Sequence, residues 1–146
     1  MSGLRIHLIG RCQTNKVRQL APHVHLWQSV DRVSLATEIA RRAPGAGVLV
    51  QVNVSDEPAK GGCDPGETAA LVARCRELGL EVRGLMTVGR TGEPEPARPG
   101  FALLRRQCDE LSLPVCSMGM SDDLEVAVSE GSTMVRVGTA LVGARR

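Results

Sequence analysis

The sequence contains very few aromatic residues: of its 146 residues, one is Trp, one is Phe and none is Tyr. Proteins that bind single-stranded nucleic acids usually stack the bases on aromatic side chains, so this scarcity argues against that function. The net charge is only +2 at pH 7, which provides no strongly basic surface for nucleic acids or membranes. No apolar run reaches membrane-spanning length, and the first residues lack the apolar segment of a secretion signal.

Paired cysteine motifs are missing as well. The five cysteines are an odd number, and no two of them have the C-x-x-C spacing of zinc or redox sites. Nothing in the sequence therefore predicts a metal centre. Cys75 and Cys108 lie on apolar helical stripes and are interpreted as small core residues. Reduced thiols favour a cytoplasmic location.

The residues that are present alternate between strand-like and helix-like patterns along the whole chain. Hydrophobic residues make up 42% and charged residues 23%, which is typical of one soluble domain spanning residues 1–146. Strands are predicted at 5–9, 24–30, 48–54, 81–88, 115–118 and 134–137, with helices between them. Residues 89–100, rich in Pro, Gly and charge, are predicted to be a loop. Such alternation predicts right-handed βαβ units and a parallel sheet.

Several helix starts are predicted from capping residues. Asp31, Asp64 and Ser121 each precede an apolar helical pattern and are expected to cap its first turn. Pro65 is suited to the first helical position after Asp64, and Glu67 completes a capping box. Asp122, Asp123 and Glu125 would place negative charge at the start of the helix after Ser121.

Two turns near the C-terminus have the chemistry of a phosphate site. The runs 114–123 and 133–140 each consist of one of the last two strands and the turn that ends it, and these turns combine glycine, hydroxyl and backbone N–H groups. An open dinucleotide-binding sheet would instead carry G-x-G-x-x-G after its first strand, where only Gly10 is found. A (β/α)₈ barrel builds its phosphate site after strands seven and eight. This placement favours an incomplete α/β barrel of the TIM type that covers strands three to eight.

The same residues resemble a known family. Residues 6–16, 30–31, 49–54, 83–87, 117–125 and 130–140 resemble, in order, the pyridoxal phosphate homeostasis proteins, single-domain relatives of the alanine racemase barrel. The S-M-G-M-S-D-D and G-S-T-M-V-R-V-G-T-A runs carry most of the resemblance. It implies a carrier or regulator of pyridoxal 5′-phosphate (PLP) that is not an enzyme, with PLP-dependent apo-enzymes as partners.

The resemblance also implies a binding site. Arg136 would lie at the pyridine nitrogen of PLP, and Asn53 and Met86 would line the pocket. Two groups of residues would form the opposite sides of a phosphate cup: Ser117, Gly119, Met120 and Ser121, and Gly138 and Thr139. A guanidinium does not donate its proton at neutral pH, so it would favour an unprotonated ring and weak electron withdrawal.

The sequence departs from the family at the lysine that bears the cofactor. Its two lysines, Lys16 and Lys60, match neither the position nor the motif of the family's Schiff-base lysine. We therefore expect non-covalent binding of PLP at most and a chain that lacks the first two strands. Lys60 is expected to be solvated in a flexible loop. Edges left open by missing strands would be apolar and prone to pair between copies of the chain.

Other interpretations remain open at the level of the sequence. The turns could be plain helix caps and turns, and Arg136 could reach a surface carboxylate. A small PLP-dependent racemase is a second possible function, although a racemase needs a tyrosine base and the sequence has none. A phosphate-binding partial barrel without PLP is a third. His7 is interpreted as a packed or hydrogen-bonded residue rather than a catalyst.

Overall fold

Six parallel strands with helices between them make up the structure, a computed structural model that describes residues 3–58 and 60–138. The strands are β1 His7–Leu8, β2 Leu26–Val30, β3 Gly47–Gln51, β4 Glu81–Met86, β5 Val115–Met120 and β6 Met134–Arg136. The helices are α1 Val17–Leu20, α2 Val33–Arg42, α3 Thr68–Glu77, α4 Arg98–Glu110 and α5 Leu124–Ser129. Turns of 3₁₀ helix precede α1, α3 and α4.

The strand order distinguishes a barrel from an open sheet. Each strand pairs in parallel with its sequence neighbours, in the order β1-β2-β3-β4-β5-β6. An open doubly wound sheet reverses its order at a switch point, whereas a (β/α)₈ barrel does not. The order therefore confirms the prediction of an incomplete TIM-type barrel.

Contacts across the sheet show that it is curled. The side chains of Gln28 on β2 and Ser117 on β5 are hydrogen-bonded at 2.7 Å. In a flat sheet these strands would be separated by three inter-strand spacings, roughly 14 Å. The concave face of the curl is called the inner face below.

Alternation along the strands creates two apolar clusters. Val48 and Val50 point outward into the large core between sheet and helices, with Trp27 and Phe101. Leu49 lies between them in sequence and points to the inner face. There it joins a small cluster that consists of Leu26, Leu49 and Met86, with Val88, Val115 and Met134 packed against it. A parallel strand covered on both faces is expected to be continuously apolar, as β3 is.

Two of the three predicted helix caps are wrong, and the third is confirmed in position only. Helix α2 follows Arg32, and the Asp31 carboxylate instead accepts hydrogen bonds from Arg32 Nη1 at 2.8 Å and the Gly62 N–H at 3.3 Å. Asp64 is at the N-cap position of the 3₁₀ turn Pro65–Glu67, with Pro65 in its first turn as predicted, but the Asp64 side chain makes no capping bond. Helix α5 follows Asp123, so Ser121 lies before its start. The Asp31 carboxylate is thus engaged by the Arg32 cation and the loop that contains Gly62, and not by the end of helix α2.

The loop predicted at 89–100 is also partly wrong. A 3₁₀ turn forms at Glu95–Ala97, and α4 already begins at Arg98, with Pro99 in its first turn. Proline is tolerated at that position because the first helical N–H groups have no partner within the helix. Arg98 also reaches Glu95 and Glu130 at 2.6 and 2.8 Å, and these contacts link the new turn to α5.

Candidate functional site

Arg136 is a half-buried cation on the inner face at the end of β6. Its Nη1 donates to the Ser117 hydroxyl at 2.7 Å, and its Nη2 donates to the Thr87 carbonyl at 2.6 Å. Burial lowers the pKa of the Arg136 guanidinium, and the nearby Asp123 partly opposes this. Within residues 3–58 and 60–138, no carboxylate forms an ion pair with it. A guanidinium has five N–H donors, so this one retains donors for a ligand.

Ser117 lies beneath Arg136 and is completely buried. Its hydroxyl oxygen accepts from Arg136, and its single hydrogen is donated to Gln28 Oε1 at 2.7 Å. The hydroxyl hydrogen is therefore committed to Gln28. The role of Ser117 in a phosphate cup stays a prediction, and the geometry shows it supporting Arg136 from below.

The two turns after β5 and β6 lie side by side. The Gly138 N–H donates to the Ser121 hydroxyl at 3.3 Å. Gly119 has φ +104°, and a Cβ there would lie 2.7 Å from the Ala127 Cβ, so the first turn requires glycine. Met120 projects its side chain outward, and its N–H donates to Asp123 Oδ1 at 2.7 Å. Thr139 lies outside the described residues.

Asn53 and Met86 have different surroundings. The Asn53 amide donates to the carbonyls of Glu57 and Lys60 at 3.0 and 3.1 Å, and its oxygen accepts from the Ser55 N–H at 3.1 Å. These bonds organise the loop after β3. Met86 is buried in the small inner cluster. Their contact with a ligand stays a prediction.

Lys60, predicted from the sequence to be solvated, lies in the loop after β3 and is hydrogen-bonded to the loop after β4. The Lys60 ammonium donates to the Gly89 carbonyl, and its side chain is only 22% exposed. Glu57 in the same loop accepts from the N–H and hydroxyl of Thr91 at 2.8 and 2.9 Å, which lowers the pKa of its carboxyl group. The expectation of a solvated lysine is therefore wrong, because the loop after β4 supplies a carbonyl that sequence patterns do not show.

Sequence reasoning missed Gln28 and Thr87 as partners of the site. Gln28 is 2% exposed, and Thr87 supplies the carbonyl that Arg136 binds. One signal was available for Gln28, a polar residue two positions after Leu26 in the strand, and therefore on the same face of the sheet as that apolar side chain. His7 does form a hydrogen bond, with Gln28 Nε2 at 2.8 Å, which confirms its interpretation as a bonded residue.

Burial suppresses the reactivity of at least two of the cysteine thiols, those of Cys63 and Cys75. All five cysteines are buried and unpaired, and burial raises the pKa of Cys63 and Cys75 to about 11. Such thiols are protonated at neutral pH and are poor nucleophiles. In the part of the chain that the structure describes, no cluster of His, Cys, Asp and Glu is suited to a metal ion.

Comparison with known proteins gives the family. The family model of the alanine racemase N-terminal domain matches residues 2–146. The chain belongs to this family. The pyridoxal phosphate homeostasis protein of Aquifex aeolicus is 46% identical over 98% of the chain, and that of Pseudomonas aeruginosa is 43% identical over 97%. The chain covers 68% and 65% of these two proteins, or about two thirds of their length.

Solved structures agree with this membership in the alanine racemase N-terminal domain family. PipY of Synechococcus elongatus, solved with PLP bound, superposes with a TM-score of 0.84 at 33% identity, covering 96% of the chain and 71% of PipY. An alanine racemase of Clostridium difficile superposes with a TM-score of 0.73 at 16% identity, over 97% of the chain and 40% of the racemase. At that identity the second likeness concerns the fold alone.

Proposed function

We propose that this chain binds PLP non-covalently on its inner face and acts in PLP homeostasis rather than in catalysis. The observation that carries the proposal is the half-buried Arg136, which has no carboxylate partner in the described residues and lies on the strand that leads to the two adjoining turns. Removing a cation partly from water without a direct ion pair is costly, and a ligand with acceptor atoms offsets that cost. The pyridoxal phosphate homeostasis proteins among its relatives and the PLP-bound PipY support the choice of ligand.

The residues present fit the chemical parts of PLP. Gly119, Ser121, Gly138 and Thr139 would hold the phosphate, and Arg136 would face the ring nitrogen. When bound, PLP supplies an electron-withdrawing pyridine ring, which withdraws most strongly when its nitrogen is protonated. Arg136 keeps its own proton and leaves that nitrogen unprotonated. This weak activation suits a carrier better than a catalyst.

The absence of a second base supports the same conclusion about catalysis. The sequence has no tyrosine for the proton transfer of a racemase. All five thiols are buried, and His7 is bonded to Gln28 rather than directed to Arg136.

Recipients of the bound PLP would be PLP-dependent apo-enzymes. Buried, unpaired cysteines support a reducing, cytoplasmic setting. Within the described residues, none of the helices has the length and apolar character needed to cross a membrane.

Equilibrium binding of three ligands to the 146-residue chain tests this function. PLP and its analogue without the aldehyde, 4′-deoxypyridoxine phosphate, are expected to bind with similar affinity, because no lysine bond contributes. Inorganic phosphate is expected to bind far more weakly. Isothermal titration calorimetry measures all three. Equal affinity for phosphate and PLP would favour a phosphate-binding partial barrel instead.

A covalent bond would also contradict the non-covalent proposal. After borohydride treatment with PLP, intact mass spectrometry is expected to show unmodified protein. A stable adduct mapped to Lys60 would show that this lysine, which lies beside the Gly89 carbonyl, replaces the family's lysine. Racemisation of alanine by the purified chain would favour the enzyme hypothesis.

Self-association through the sheet edges is a further part of the proposal. In the ranges 3–58 and 60–138, β1 pairs only with β2 and β6 only with β5. Exposed apolar side chains lie beside these edges: Leu4, Ile6, Ile9, Val135 and Val137. Open apolar edges pair with one another unless charge or proline blocks them. We expect concentration-dependent oligomers in sedimentation velocity, and fewer of them for Ile6→Lys. A monodisperse monomer of the unmodified chain would contradict this expectation.

A further inference from the structure

A continuous chain of side-chain hydrogen bonds crosses the inner face from β1 to β6. It runs from His7 Nδ1 to Gln28 Nε2 at 2.8 Å, from Gln28 Oε1 to Ser117 Oγ at 2.7 Å, and from Ser117 Oγ to Arg136 Nη1 at 2.7 Å. Its two middle members are buried, Gln28 at 2% exposure and Ser117 at 0%. These four residues are called the relay below. The relay joins an imidazole at the first strand to the candidate ligand cation at the sixth.

The donors and acceptors allow only one direction along the relay. Arg136 has no acceptor, so the Ser117 oxygen must accept from it. The Ser117 hydrogen then has Gln28 Oε1 as its acceptor, which orients the Gln28 amide. Gln28 Nε2 donates one hydrogen to His7 Nδ1 and the other to the sulfur of Met134 at 3.3 Å. His7 must therefore be neutral, with its proton on Nε2.

The surroundings of His7 favour the neutral form. The His25 ring stacks on it with centroids 6.1 Å apart. Arg83, 3.4 Å from His25 Nε2, and Arg5 add positive charge, and the carboxylate of Glu81 is engaged by Arg83 at 3.2 Å. Burial, then His25 and the two arginines, lower the pKa of His7 from its ordinary value of 6.5. Its contribution to stability is therefore fully present above pH 6.5 and is lost as the pH falls through its folded-state pKa.

We propose that Gln28 and Ser117 are positioning residues for Arg136, and that protonation of His7 disrupts the relay and weakens ligand binding at Arg136. This inference rests on the proposed function, because it concerns regulation of the same site. Protonated His7 offers no acceptor at Nδ1, so the Gln28 amide must turn its carbonyl oxygen to His7. Its NH₂ group then faces Ser117, whose oxygen already accepts from Arg136. The buried Ser117 hydrogen is left without an acceptor, and the arrangement that holds Arg136 is lost.

A titration without ligand tests the relay itself. The pKa of His7 is measured by NMR of the imidazole nitrogens in the unmodified chain and in Gln28→Glu. The carboxylate introduced by Gln28→Glu can still accept from Ser117, but it removes the donor to His7 and places negative charge there. We expect the neutral Nε2–H tautomer in the unmodified chain and a raised pKa of His7 in Gln28→Glu. An unchanged titration of His7 would overturn the relay.

The pH dependence of PLP affinity tests the coupling to Arg136. His7→Asn is the matched variant, because the oxygen of an asparagine amide can replace the Nδ1 acceptor and does not titrate. The PLP phosphate titrates near pH 6 as well, and that effect is common to both proteins. We expect equal affinities at about pH 8, and at about pH 5 a loss for the unmodified chain that is roughly 5-fold or more greater than for His7→Asn. Coinciding pH profiles would overturn the coupling.

Reciprocity provides a second readout of the same coupling. If protonation of His7 weakens the binding of PLP, then PLP must lower the pKa of His7 by the same factor. This shift is expected in the unmodified chain and is expected to be absent in Ser117→Ala, which interrupts the relay. Failure of PLP to bind at any pH would remove the proposed function. In that case the ligand-free titration of Gln28→Glu alone accepts or rejects the relay.

Discussion

Replacing Arg136 by methionine is expected to weaken PLP binding by about 10- to 150-fold and to change the free energy of unfolding by no more than about 1 kcal/mol. Hydrogen bonds to a charged group contribute roughly 1.5–3 kcal/mol, which corresponds to that range of affinity. Stability responds little because two effects oppose each other. The variant loses the bonds to Ser117 and Thr87, but it also removes a cation that burial makes unfavourable.

Two measurements separate these effects. Calorimetry with PLP reports the affinity, and urea unfolding without ligand reports the stability. Arg136→Lys serves as the matched control, since it keeps the charge but not the planar pair of donors that reaches Ser117 and Thr87 together. Its affinity should be intermediate. If Arg136→Met bound PLP as tightly as the unmodified chain, Arg136 would be a structural residue and the proposed site would be wrong.

Replacing Gly84 by alanine is expected to cause the largest loss of stability, about 3 kcal/mol or more. Gly84 on β4 pairs with Val115 on β5. A Cβ at Gly84 would lie 1.9 Å from the Val115 carbonyl oxygen and 2.6 Å from its carbonyl carbon. Both are backbone atoms, so no side-chain rotation relieves the overlap. The two strands would have to separate, which breaks the pairing that places Ser117 beside Arg136.

Denaturant unfolding with circular dichroism measures this loss. Gly66→Ala is the control, because a Cβ there meets no atom within 4 Å and the residue lies in an exposed 3₁₀ turn. Its stability should stay the same or rise slightly, as expected for glycine at a position that alanine tolerates. A Gly84→Ala variant with the unfolding midpoint of the unmodified chain would mean that β4 and β5 are not paired at this point.

Much of the fold was predictable because parallel strands leave strong local patterns. All six strands were predicted in order, and the core of each lies where the apolar pattern predicted it. Helix starts were less predictable. Asp31 makes its bonds to Arg32 and Gly62 rather than to its helix, and α4 begins at Arg98, within the loop predicted at 89–100. These outcomes depend on neighbours that local patterns do not contain.

Local sequence patterns were sufficient to predict the alternation of strands and helices, the glycine-bearing turns near the C-terminus and the resemblance to a PLP-binding family, since each depends on residues close together in the chain. Only the tertiary structure showed the burial of Arg136, the engagement of Lys60 and the relay from His7. The relay joins residues 21, 89 and 19 positions apart. Curling of the sheet brings them within hydrogen-bond distance, and no local pattern records which polar side chains meet across a concave face.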